Sequence, residues 1–433
     1  VLSGSYLPTS LSLLLATFQS RFTAPSYVTF SSLVAGFLAQ TGEHTVCGML
    51  TGAGLASRWH HTRAHRFFSQ RRWSIDRVGL RLASLIVQRL APPGTPVELA
   101  VDDTLFRRSG PKVFGARWCH DGAAVGPSPI GFGNCFVVVG VVVRLPFCCR
   151  PVCLPVLCAL WQQGSKVVVA RRLVELLASR FPDRTVHVTC DGAYVSRDLR
   201  GLPARITWTT RLRKNAALHD LTPPRTGRPG RPRTKGDPLP SLRELAATLH
   251  WTRRTLVRYG ISDTVEIAHR RLLWYLPFGA QPVRLVMVRD PGAREYEIAL
   301  ITTDVTAAPA QIVERYASRW SIEVAFEEAK QVLGVGEARN RTENAVRRTT
   351  PFGLVCQSLL TLWYATSLHV DDVVRDRRRR APWYRTKVTP STADMLATAR
   401  RVLIAAQFSA TRPAGPTAAE ILEVQRAWAM AAA

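Results

Sequence analysis

Residues 315–334 read RYASRWSIEVAFEEAKQVLG. Tyr316, Arg319, Glu323 and Lys330 follow one another at spacings of three, four and seven. A helix turns about 100° per residue, so the spacing predicts one helix with these four inside roughly a 60° arc. Ile322, Ala325, Phe326, Ala329 and Leu333 fall on the opposite side and supply a packing face. The polar face lines up an aromatic hydroxyl, two cations and one carboxylate. Such a frame suits metal-assisted phosphodiester chemistry. A solvated helix face with ordinary ion pairs is the plain alternative.

Two further acidic sites bear on that choice. VELAVDDT, residues 97–104, is a β-prone apolar run that reaches paired Asp102 and Asp103 after the breaker APPG at 91–94. TVHVTCDG, residues 185–192, is a second short strand that ends in Asp191 and a glycine. Carboxylates at the ends of buried strands are poorly solvated unless they find a cation or a partner. Two strands and a helix bringing three carboxylates together would hold two Mg2+, which takes oxygen ligands. Two such ions lie about 3.5–4 Å apart and act on the attacking and leaving oxygens.

In this order, Asp102, Asp191 and Glu323 resemble the DDE triad of transposases with an RNase H-like core. Tyr316, Arg319, Glu323 and Lys330 match the Y-x2-R-x3-E-x6-K signature of one bacterial insertion-sequence group, the family numbered four. VDDTLFRRSG (101–110), CDGAYVSRDL (190–199) and WYRTKVTPSTADMLATARR (383–401) are most similar to its seven-hundred-and-one-like branch. The likeness runs over roughly residues 40–405. It implies metal-dependent cleavage at terminal inverted repeats, then strand transfer into target DNA: cut-and-paste transposition. The metal ligands would be Asp102, Asp191 and Glu323, with Mg2+ as the ion and Mn2+ as a substitute. The family pattern D-x-T favours Asp102 of the first pair, and Asp103 is the alternative. Arg319, Lys330 and Tyr316 would contact phosphates near the cut. At least a dimer on DNA is implied, because two ends must be joined.

Composition agrees with a nucleic-acid enzyme. There are 58 Lys and Arg against 31 Asp and Glu, a formal charge of +27. Such a field draws in a polyanion. The 46% hydrophobic content argues against global disorder, and the length allows two or three domains. Nine cysteines suit a reducing cytoplasm. Cys148, Cys149, Cys153 and Cys158 cluster in an apolar run without a nearby histidine and read as structural thiols. The apolar stretch Cys135–Trp161 is cut by Arg144, Pro146, Arg150, Pro151 and Pro155, so no membrane span is expected. A bacterial, nucleoid-associated protein without a small-molecule substrate is the expectation.

The expected fold is α/β: an RNase H-like mixed sheet flanked by helices, with a β-rich insertion and a helical N-terminal DNA-binding region. Residues 1–94 are helical in pattern, and 44–73 carry a helix-turn-helix-like signal. Arg63, Arg66 and Arg71 are DNA-contact candidates there. His61 and His65 have metal-ligand spacing but no evident acidic third ligand. Residues 95–202 form the first half of the core, with strands near 97–102, 135–144, 152–160 and 185–190 and a helix near 167–180. Residues 203–294 form the insertion, and 295–370 return to the core. The basic loop 223–238 carries Arg228 and Arg231 in GRP repeats that resemble minor-groove hooks; a flexible linker is the alternative. Residues 371–433 are a basic C-terminal region and tail. Three rivals remain: a transposase-derived DNA-binding regulator without catalysis, an RNase H-like nuclease without strand transfer, and a basic RNA-binding protein, the last lacking the usual aromatic RNA-contact stretch.

Overall fold

A computed structural model describes residues 7–122, 124, 129–224, 233–368, 371–411, 419, 421–422 and 424–426. Five helices come first: α1 (Thr9–Ala16), α2 (Ala24–Ala39), α3 (Val46–Gly52), α4 (Thr62–Ser69) and α5 (Ile75–Leu90). Then follow β1 (Val97–Arg107), β2 (Arg117–His120), β3 (Ile130–Val143), β4 (Val152–Leu160), α6 (Lys166–Ala178), β5 (Val186–Cys190) and β6 (Ile206–Arg211). Next come α7 (Leu242–Thr248), β7 (Thr252–Arg258), β8 (Ile261–Leu272), α8 (Tyr275–Phe278), β9 (Val283–Arg289) and β10 (Ile298–Thr302). The chain closes with α9 (Pro309–Ser318), α10 (Ser321–Gln331), α11 (Glu343–Ser367), α12 (Asp371–Arg380) and α13 (Thr392–Thr411).

One mixed sheet organises these elements, in the order β2-β3-β1-β5-β6-β10-β9-β8-β7, with β4 also paired to β3. β1 is antiparallel to β3 but parallel to β5, and β5 is parallel to β6. This mixed sheet flanked by helices is consistent with an RNase H-like core. Residues 135–143 of β3 are all buried, as a strand covered on both faces requires. Its neighbour β4 accommodates Pro155 because the β3–β4 register shifts between Val139 and Gly140. Gly140 stands opposite Pro155, and a Cβ there would lie 2.2 Å from Cys153 Sγ.

The structure departs from the sequence-based expectations in five places. β1 does not end at Asp102 and Asp103; it continues to Arg107, because β3 is long enough to pair with it down to Gly133. Ile206–Arg211, grouped above with the insertion, is β6 and lies next to β5 in the core. Strands β7 to β9, assigned above to the insertion, extend that same sheet through β10 rather than forming a separate one. Alternation within a strand fixes its buried face but not its neighbour, so local sequence could not rank these pairings. The sequence over 167–180 puts Val168 in an apolar stripe with Leu173, Val174, Leu176 and Leu177, but Val168 of α6 is 49% exposed, and Val167 takes its place on the packing face.

The fifth departure is in the deciding stretch itself, which forms two helices. Arg319 and Trp320 join α9 to α10 through tight backbone bonds: Arg319 to Tyr316, Trp320 to Ala317, Ile322 to Arg319 and Glu323 to Trp320. These are i to i−3 contacts, which overwind the junction. The apolar side is as expected, with Ile322, Ala325, Phe326, Ala329 and Leu333 all buried.

The N-terminal helices are not a separate body. Phe30, Phe37, Phe67 and Phe68 pack edge-on against Phe352 of α11, inside the main hydrophobic core. Helices α3 and α4 are joined by residues 53–61, a longer connection than the short turn of a helix-turn-helix. No helix among the described residues is long and apolar enough to cross a membrane.

Candidate active site

Asp102 sits in mid-β1, just beyond the point where Val101 pairs with Cys190 at the end of β5. Asp191 is the residue after Cys190. The two aspartates therefore follow one register pair on adjacent parallel strands, which run about 4.8 Å apart. Successive strand residues face opposite ways, and this separates Asp102 from Asp103. Asp103 accepts a 2.6 Å bond from Lys166 Nζ at the start of α6 and another from the Tyr194 hydroxyl. Cys135 Sγ lies 3.3 Å from its carboxylate. Asp102 instead faces Arg319, whose guanidinium lies 3.4 Å from its carboxylate.

Glu323 is in the first turn of α10, and its Oε1 is 2.8 Å from the same guanidinium. Arg319 thus bridges the carboxylates of Asp102 and Glu323. Burial pushes the Asp102 carboxyl up to about 7, and Asp103 and Glu323 push the same way. The Asp103 amide, 2.8 Å from Asp102 Oδ1, and Arg319 pull down but do not prevail. Burial works against the Arg319 charge, yet Tyr316, Glu323 and Asp102 hold the guanidinium above its ordinary value. Its Nε is buried without a hydrogen-bond partner among the described residues.

Asp191 is exposed, and its carboxylate makes no hydrogen bond or ion pair with a described residue. Only its backbone carbonyl is engaged, by Tyr194 N and Thr210 Oγ1. Around it is an open depression lined by Gly192, Arg211, Arg213 and Lys214. Nothing in the spacing of those three cations sets them apart from the other basic residues of the sequence.

The remaining residues of the deciding stretch separate. Tyr316 is buried among Ile312, Val313, Val286 and Leu300, beneath Arg319, whose guanidinium is 5.7 Å from the ring centre. Burial pushes its hydroxyl up to about 12. Lys330 lies two turns beyond Glu323, about 10 Å along α10. Its ammonium is 5.4 Å from the Phe106 ring, and Phe106 is on the Asp102 face of β1. Burial lowers the Lys330 pKa.

The other candidates lie elsewhere. Arg63 turns inward: its guanidinium is 3.5 Å from the centre of the Trp59 ring, and its Nε donates to Thr29 Oγ1. Arg66 and Arg71 are exposed. Arg228 and Arg231 lie outside the described residues. Cys148, Cys149, Cys153 and Cys158 are free thiols.

The donor set of the centre is all oxygen: Asp102 and Glu323 share one arginine, and the Asp191 carboxylate is exposed. This under-neutralised arrangement suits a hard divalent cation. The three carboxylates do not all come within 4.8 Å of one another.

The sheet topology defines an α/β protein with a mixed sheet flanked by helices. A family model described as DDE superfamily endonuclease matches residues 17–264, more than half of the chain. The chain belongs to the DDE superfamily of endonucleases. That membership supports a nuclease- or transposase-type function with DNA as substrate, and members of this superfamily generally depend on a divalent metal. The match takes in Asp102 and Asp191 and ends before Glu323. No curated protein matches the chain.

Proposed function

We propose that the protein is a DNA transposase that cuts at terminal inverted repeats and joins the freed ends to target DNA, as its resemblance to the family-four and seven-hundred-and-one-like elements implies. The observation that supports this reading is that Asp102 and Asp191 each follow one register pair on adjacent parallel strands, while Glu323 of α10 shares Arg319 with Asp102. In this reading these three hold two Mg2+, with Mn2+ as a substitute. When bound, the ions would stabilise negative charge on the oxygens entering and leaving phosphorus.

The chain's own residues have distinct tasks. Arg319 neutralises Asp102 and Glu323 while no cation is bound. With a metal ion held by those carboxylates, the Arg319 fork would be available to grip a phosphate in a bidentate manner. Tyr316 supports the stem and plane of Arg319 from below. Lys330, about 10 Å along the same face, contacts the backbone beyond the cut as a point charge. Arg211, Arg213 and Lys214 contact the strand that passes Asp191. In the same centre the freed 3′-hydroxyl attacks a target phosphorus, the bond from that phosphorus to the target 3′-oxygen breaks and leaves a target 3′-hydroxyl, and a dimer aligns the two ends.

The helical N-terminal region binds the inverted repeats through Arg66, Arg71 and neighbouring surface arginines, with phosphate contacts supplying most of the affinity. Strands β7 to β9 and the basic loop that carries Arg228 and Arg231 act as an insertion that holds flanking DNA.

The test is cleavage and strand transfer on labelled DNA ends, with Mg2+ and with EDTA, for wild type, Asp191→Asn and Glu323→Gln. Metal-dependent cutting and joining, lost in both variants, supports the reading. Cutting without joining would leave a nuclease, and tight binding without cutting would leave a regulator.

A further inference from the structure

We propose that Cys47, His61 and His65 form a transition-metal site, suited to Zn2+, that clamps α3 to α4. One ligand atom from each of the three lies within 4.8 Å of the others, the sole such group of three Cys, His, Asp or Glu side chains among the described residues. Cys47 Sγ and His65 Nε2 are 3.5 Å apart. A tetrahedral zinc with Zn–S near 2.3 Å and Zn–N near 2.05 Å sets its sulfur and nitrogen about 3.5 Å apart, so this pair already has the required separation. His61 immediately precedes α4 and His65 lies one turn on, at i+4, with its amide bonded to the His61 carbonyl. Their rings lie 5.8 Å apart, centre to centre. The third ligand, which sequence spacing did not reveal, comes from the preceding helix.

Both helices are held before any metal arrives. Gly36 of α2 is so close to α3 that a Cβ would lie 1.8 Å from the Met49 carbonyl oxygen. Arg63 of α4 is tied to Thr29 of α2 and stacked on Trp59. The ligand-bearing elements thus share α2 as a common support. One thiolate and two imidazoles select zinc or cobalt over magnesium, in contrast to the carboxylates of the acidic centre. Three protein ligands leave the fourth position to water. The site is therefore independent of the catalytic reading. Its consequence is mechanical: it sets the angle at which α4 presents Arg66.

Cobalt is the probe, because thiolate ligation gives a charge-transfer absorption that carboxylate ligation does not. The full chain is titrated with Co2+ in excess Mg2+. One equivalent should give the thiolate band. Cys47→Ser should abolish it, His65→Ala should weaken binding about 100-fold or more, and Asp191→Asn should leave it intact. No band in the wild type, or a band that survives Cys47→Ser, overturns the proposal. In the wild type itself, Zn2+ should protect Cys47 but not exposed Cys149 from alkylation, read by mass spectrometry. Equal labelling of Cys47 with and without Zn2+ also overturns it.

Discussion

Asp102 and Asp191 are the next residues after the paired Val101 and Cys190 on two adjacent parallel strands, yet they meet different surroundings. Asp102 is half-buried and tied to Arg319; Asp191 is exposed and unpaired among the described residues. The centre therefore has one carboxyl that resists ionisation and one that is open to solvent. This asymmetry shapes the behaviour of the site.

The first expectation concerns the neighbouring aspartates. Asp102→Asn should abolish metal-dependent cleavage without loss of fold. Asp103→Ala should instead lower stability by about 1–3 kcal/mol, because Tyr194 and Lys166 lose their shared acceptor. Urea unfolding run beside a cleavage assay separates the two. Full stability in Asp103→Ala, together with lost cleavage, would shift the metal-ligand assignment to Asp103.

Arg319 should behave as a stand-in for cations. Arg319→Ala leaves Asp102 and Glu323 facing each other without their bridge. The variant should melt below wild type in EDTA and recover much of the difference with Mg2+, since a ligand that binds only the native state raises its stability. A thermal shift with Mg2+ no larger than the wild-type shift would count against this role.

A pH dependence follows from Asp102, whose folded carboxyl is raised to about 7 from an unfolded value near 3.9. Its contribution to stability is fully present below about 3.9 and is lost as pH rises through about 7. Metal-free Asp102→Asn should therefore gain on wild type as pH climbs toward about 8. Cation binding needs the ionised form, so single-turnover cleavage should fall about tenfold per pH unit below about 7. A flat profile between about pH 5 and 7 would contradict both statements.

The N-terminal arginines should divide by their surroundings. Exposed Arg66 and Arg71, changed singly to Ala, should each reduce the salt dependence of DNA affinity by about one unit of slope. Arg63→Ala should instead cost about 1 kcal/mol of stability through its lost stacking on Trp59. Filter binding over a salt series and thermal melting test the two halves.

Much of this protein follows from local sequence alone. The buried run in β3, the strand before Asp191, the helix after Ser165 and the apolar side of α10 all come from short-range periodicity. That periodicity fixes which face of an element is buried, because burial pays off residue by residue.

Contacts between distant segments were settled only by the tertiary structure. The register of β1 on β5 brings Asp102 beside Asp191, and the Asp103 face turns toward Lys166. Arg319 lies between two carboxylates rather than projecting into solvent, and Cys47 meets His65 from another helix. A strand's alternation is the same whichever neighbour it pairs with, and a cation's spacing on a helix does not name its partner. Those choices depend on how the whole sheet and its covering helices pack.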